Sequence, residues 1–265
     1  MGIATEVDTE IADDWHAALA ALAWEVEAGA DEAIGDAPIN RYELATETPK
    51  PLAAKPSSPP PTPDAGADPV AVAQAAAAGA ATLEALREAI AGFDLCDLKK
   101  GARNTVFADG NPKARVLILG EAPGAEEDRE GRPFVGRAGQ LLDRMFAAIG
   151  LSRTCPDAET ALYITNVMPW RPPGNRDPEP AEIAMMLPFV QRHIALVDPQ
   201  VIVVLGNTPL FALTGTRGIL RARGHWSQAL GKPLLPMTHP AYLLRNPSAK
   251  REAWADLLSL QQRLR

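Results

Sequence analysis

The sequence predicts an α/β fold: a parallel sheet with helices on both faces. Two observations carry this. Four apolar runs, RVLILG (115–120), ALYITNV (161–167), VIVVLG (201–206) and PLLPMTHP (233–240), recur between residues 115 and 240. RVLILG is a continuous apolar run rather than an alternating one, as strands buried on both faces are. Between them lie segments long enough for helices, and strands separated by helices close into a parallel sheet.

The elements follow in order. Residues 8–29 place Ile11, Trp15, Leu19, Leu22 and Val26 at spacings of three and four, and Thr9 or Asp8 stands where a cap belongs. This predicts a helix that either docks on a neighbour or binds another protein. Residues 44–69 are rich in Pro and Ala and have little to bury, so a disordered linker is expected there. The chain thus divides into an acidic helical segment (1–43), the linker (44–69) and a folded domain (70–265). The alanine-rich run 70–92 predicts one helix opening that domain. Further helices are expected over about 137–149, 179–197 and 247–264, and loops over 120–136, 168–180 and 239–247.

Composition narrows the class. The 265 residues are 46% hydrophobic and 22% charged, ordinary for a soluble protein. The acidic N-terminus lacks the pattern of a secretory signal and no run reaches membrane-spanning length, so a cytoplasmic protein with no membrane partner is expected. The net charge of −7 is unevenly spread. Residues 1–70 hold 14 acidic and 3 basic residues, and the remainder holds 19 acidic and 23 basic. A mildly basic domain is compatible with nucleic acid. Two cysteines cannot supply a four-thiolate metal or iron–sulfur site.

In open parallel sheets, ligands bind at the carboxyl ends of the strands. Those ends read Gly120-Glu121-Ala122-Pro123-Gly124, Thr165-Asn166-Val167, Gly206-Asn207-Thr208 and Thr238-His239-Pro240. A carboxylate, a carboxamide and an imidazole are thereby brought to one rim. The stretch 120–136 spends four glycines and two prolines on a long loop, and long loops at such places are usually functional. Phe134 within it either folds into the core or offers a flat face to a planar ligand.

Three segments, GEAPGAEEDREGRPFVGRAGQLLDRM, TNVMPWRPPGNRDPEP and THPAYLLRNP, resemble in order and spacing the uracil-DNA glycosylases of the family 4 type, over residues 93–265. The resemblance implies a three-layer α/β/α sandwich on a four-stranded parallel sheet. It implies an enzyme of base excision repair that flips uracil out of DNA and hydrolyses its N-glycosidic bond. In that resemblance Asn166 reads the base edge, Phe134 stacks on the base, His239 donates to O2, and Glu121 orients or deprotonates the attacking water. Glu127 lies near C5, and backbone around Gly120 and Ala122 adds contacts. Leu243 and Leu244 are candidate wedges for the space left by the flipped nucleotide, or Leu244 is helix-packing core. Arg245 lies near the DNA backbone, Arg171, Asn175 and Arg176 contact the strand from the RPPGNR loop, and Lys250 meets phosphate or solvent.

The family carries a [4Fe–4S] cluster on four cysteines. The corresponding positions here are Phe93, Cys96, Trp170 and Met186, so no cluster, and no other cofactor or metal, is expected. A related branch captures uracil on a histidine after the first motif. GRPFVGRAGQLL has neither that histidine nor the insertion, which argues against covalent capture, and His225 is read as structural. The expected partner is uracil-containing DNA, acted on by a monomer, with the N-terminal segment free to bind another protein. Two further readings stand beside this one: a homologue shifted to hypoxanthine or xanthine, and a non-catalytic DNA-binding protein.

Overall fold

A computed structural model describes residues 68–265 and, before them, Leu19 alone. The expectations for the helix over 8–29 and the linker lie outside the described residues. The domain opens with α1 (Pro69–Gly79) and α2 (Leu83–Ala91), followed by the single-turn α3 (Leu98–Gly101). The alanine-rich run is therefore two helices, not the single one expected. Asp68 caps α1 on the Val70 amide at 3.1 Å, and Pro69 sits at its first turn. Gly79 ends α1, and the Thr82 hydroxyl starts α2 by accepting from the Ala85 amide at 3.2 Å. The stop and restart signals were present in the run, hidden by its alanines.

All four expected strands are present: β2 (Val116–Gly120), β3 (Leu162–Asn166), β4 (Val201–Leu205) and β6 (Lys232–Met237). They pair in parallel in the order β3-β2-β4-β6. Two three-residue strands flank them, β1 (Ala108–Gly110) beside β3 and β5 (Ser227–Ala229) beside β6, both antiparallel. The sheet is thus six-stranded and mixed, with the four-stranded parallel sheet at its centre. The sequences ADG and SQA are too short and too polar to announce strands, and short polar edges suit a sheet's margins.

Burial follows from the apolar runs. Every residue of β2, β3 and β4 is buried. Alternate residues serve opposite faces. Leu117, Leu119, Ile202 and Val204 face a core shared with Phe189, Ile194 and Leu86. These come from α6 (Pro180–Val197) and α2. Val116, Ile118, Val201 and Val203 face Leu142, Phe146, Leu257 and Leu260. These come from α5 (Arg137–Ala147) and α10 (Lys250–Leu264). Each fully buried Leu, Ile or Val contributes roughly 1.5–3 kcal/mol relative to exposure. The strand ends are thereby held on a rigid base. No helix among the described residues is long and apolar enough to cross a membrane.

Two expected loops contain helices. The stretch after β2 holds α4 (Ala125–Glu130), closed by Gly131 in the left-handed region at φ 72°. The stretch after His239 is α9 (Pro240–Arg245), with proline in its first turn, where the missing amide costs nothing. Connecting the parallel strands are α7 (Asn207–Thr214), which begins directly at the end of β4, and α8 (Ile219–Ala222).

Candidate active site

A cavity of about 600 Å³ opens at the carboxyl ends of the parallel strands. Glu121, Ala122, Glu127, Phe134, Asn166 and His239 all line it, as does Arg245 at its edge. Topology brings them together. Gly120 and Asn166 are paired ends of adjacent strands, and His239 follows β6.

Phe134 is buried, with its backbone in the left-handed region at φ 53°. A bulky residue at positive φ is strained, so its surroundings must hold it there. Arg153 does so. Its guanidinium donates to the Pro133 carbonyl at 2.9 Å and to the Phe134 carbonyl at 3.0 Å. It also pairs with Asp109 at 3.1 Å and Asp143 at 2.8 Å. The Phe134 ring lies 5.5 Å from the His239 ring, tilted by 31°. Arg153→Met is expected to cost about 3–5 kcal/mol in urea unfolding, because two carboxylates and two carbonyls lose a largely buried cation.

Gly120 is glycine for space. A β-carbon there would stand 2.3 Å from Asn166 Oδ1 and 2.6 Å from the Phe134 ring. Gly120→Ala is therefore expected to displace both side chains and lower the activity of this cavity at least tenfold with the fold retained, as circular dichroism would confirm.

Glu127 caps two chain segments. Its carboxylate accepts from the Gly124 amide at 3.1 Å, the Val135 amide at 3.0 Å and the Gly136 amide at 2.9 Å. The loop bearing Phe134 is thereby closed on itself. Asn166 is buried, and its Oδ1 has no hydrogen-bond partner. His239 accepts the Ala241 amide on Nδ1 at 3.1 Å. That bond puts the imidazole proton on Nε2. Burial, with help from the charge of Arg245, lowers the His239 pKa to about 4, against a smaller opposing effect of Glu127. The ring is thus neutral and a donor through Nε2. Burial raises the pKa of Glu121, and the charge of Asp177 adds to this, while the Thr208 hydroxyl, donating at 2.5 Å, opposes it.

The arrangement offers an amide, an aromatic face, a neutral N–H donor and a carboxylate around one cavity. The uracil DNA glycosylase superfamily model matches residues 107–258. The chain belongs to the uracil-DNA glycosylase superfamily. It is a glycosidase of the DNA repair class, acting on DNA. The type-4 uracil-DNA glycosylase of Thermotoga maritima is 41% identical over 169 residues, covering 63% of this chain and 85% of that one. That of Sulfurisphaera tokodaii is 37% identical over 191 residues, covering 68% and 84%. That of Pyrobaculum aerophilum is 38% identical over 184 residues, covering 66% and 91%.

The glycosylase places the candidate DNA contacts as follows. Leu243 is fully buried in a cluster with Leu141 and Ala253. Helix α9 turns it inward, and Leu244, half-buried, packs at the margin of the same cluster. Arg176, exposed and lining the cavity, pairs with the Glu182 carboxylate through both terminal nitrogens, at 2.9 and 2.6 Å. Arg171 donates to Asn175 Oδ1 at 2.7 Å. Asn175, like Arg245 and Lys250, is exposed. Thr208 and Arg153 were not singled out in sequence. Thr208 stood in a quoted strand end, but nothing in the pattern gave it a partner. Arg153 lies outside every motif. Leu220 was also missed: it lines the cavity mouth and is 57% exposed.

Phe93, Cys96, Trp170 and Met186 lie in one apolar core cluster, each at most 3% exposed. Phe93 packs edge-on to Phe189 at 5.4 Å, and Trp170 donates to Thr105 at 3.1 Å. One thiol beside two aromatic rings and a thioether does not fit a four-thiolate cluster. Burial raises the Cys96 pKa, which disfavours the thiolate.

Proposed function

We propose that this glycosylase hydrolyses the N-glycosidic bond of deoxyuridine in DNA, releasing uracil and leaving an abasic site. The observation that carries the reading is the buried Asn166 carboxamide, whose Oδ1 has no partner in the protein. A uracil flipped into the cavity supplies one: N3–H donates to Oδ1, and O4 accepts from Nδ2. Cytosine presents an acceptor and a donor in the opposite order, so a fixed amide rejects it by about 1–3 kcal/mol. The names of the relatives support the same base.

Each other group has a task in this reading. Phe134 stacks on the base. The three amides on Glu127 hold its carboxylate stiffly enough to bar a methyl group at C5. His239 donates through Nε2 to O2, where negative charge grows as the bond breaks. Ionised Glu121 orients and deprotonates the attacking water and steadies positive charge on the sugar. Arg171, Asn175, Arg245 and Lys250 contact the DNA strand, and Leu244 borders the space the nucleotide leaves. The chemistry uses no iron–sulfur cluster.

The test is excision from an end-labelled oligonucleotide carrying one uracil, with alkaline cleavage of the product. Strand scission at the uracil, from protein with no absorbance band near 400 nm, supports the reading. Scission only at hypoxanthine or xanthine, or binding without scission, would sink it.

A further inference from the structure

Among the described residues, two buried side-chain polar atoms have no hydrogen-bond partner: Asn166 Oδ1 and the Thr238 hydroxyl. Both residues line the cavity. The base accounts for the first, and nothing above accounts for the second. Thr238 is 1% exposed. Valine would fill the same volume without burying an unsatisfied hydroxyl, so the hydroxyl calls for a partner from outside the protein.

The sheet register says where that partner sits. Leu119 pairs with Val204, and Val204 with Pro236. The Gly206 amide donates to the Met237 carbonyl at 3.1 Å, the parallel pattern that sets Gly206 against Thr238. The β2–β4 ladder ends at Leu119 and Val204, and Glu121, just past the end of β2, lines the same cavity as Gly206 and Thr238. In the order of the strands, β2-β4-β6, their ends therefore read Glu121, Gly206, Thr238, with no side chain on the middle one. Strands stand about 4.8 Å apart, so the outer α-carbons are roughly 10 Å apart, and the two side chains leave a gap on the order of one water molecule. Thr208 occupies Glu121 Oε2. Among the described residues, none donates a hydrogen bond to Oε1.

We propose that Thr238 holds the attacking water above Gly206, between its own Oγ1 and Glu121 Oε1. This rests on the reading of Glu121 as the water-activating carboxylate. The water donates one O–H to each oxygen, and its lone pair faces the cavity. On attack the C1′–O bond forms and the C1′–N1 bond breaks. The electron pair leaves on the base, and the water's proton passes to Glu121.

The test is single-turnover release of uracil by the full chain, with melting temperatures measured alongside. Thr238→Val is expected to be slower by about tenfold or more, at a melting temperature no lower than that of wild type. Thr238→Ser is expected to recover the rate to within about threefold. Glu121→Gln and the double variant are expected to match, since both have lost the same water. Thr238→Val at the wild-type rate overturns the proposal, as does a loss that multiplies on Glu121→Gln. So does a slowing that follows a lowered melting temperature. A wild-type protein that releases no uracil overturns the functional reading, and this inference with it.

Discussion

His239→Ala is expected to slow single-turnover uracil release by about 10²–10³-fold, the usual loss for one donor aimed at developing negative charge. The reason lies in the donor's preparation. Nδ1 is occupied by the Ala241 amide, so Nε2 carries the proton before substrate arrives. The ring's pKa, lowered to about 4 chiefly by burial, keeps it neutral across the physiological range. No limb of the pH–rate profile near pH 6–7 should therefore belong to this histidine. The sign for stability follows. Unfolded histidine, with its ordinary pKa near 6.5, takes up a proton that the folded ring refuses. Stability is lost as pH falls from about 6.5 toward about 4, and buried His193, lowered to about 3, extends that loss. A rate profile with a limb near 6.5 that His239→Ala removes would contradict the assignment.

Glu121→Gln is expected to cost about 10²–10⁴ in the same assay, the range for loss of a general base. Its stability should move the other way. Burial, the largest influence on Glu121, raises its pKa, with Asp177 adding to the rise and Thr208 opposing it. A carboxylate with a raised folded pKa stabilises the fold when protonated, and that contribution is lost as pH rises through the folded value. At neutral pH the wild type holds a disfavoured charge, so the glutamine variant should unfold at an equal or higher urea midpoint. The wild-type rate should fall on acidification at a pH above the ordinary carboxylate range, and that limb should vanish in the variant. A less stable glutamine variant would mean that the charge is held by contacts stronger than Thr208.

What the sequence disclosed and what it hid divide along physical lines. Strands buried on both faces announce themselves, because every residue must be apolar, as Val116–Leu119 and Val201–Leu205 are. The rim followed from topology, since Glu121, Asn166 and His239 each trail such a run. Edge strands carry no such demand, and Ala108–Gly110 and Ser227–Ala229 passed unnoticed. Side-chain direction within a short helix was equally hidden. The sequence Leu243-Leu244 does not say which leucine faces inward until α9 sets its phase. Partners far apart in the chain were the least legible. Arg176 and Glu182 could be guessed from their spacing, whereas Thr208 and Glu121 meet only because neighbouring strands end together.

The two unpartnered polar atoms have a consequence beyond chemistry. Of the two, the water proposed above serves the Thr238 hydroxyl, whereas Asn166 Oδ1 carries a local deficit that a bound base removes. Occupancy and thermal resistance are therefore linked quantities, and a bound molecule adds RT ln(1 + [L]/Kd) to the unfolding free energy. Heating the protein against a panel of free nucleobases would then rank them by fit, with no DNA present and no bond broken.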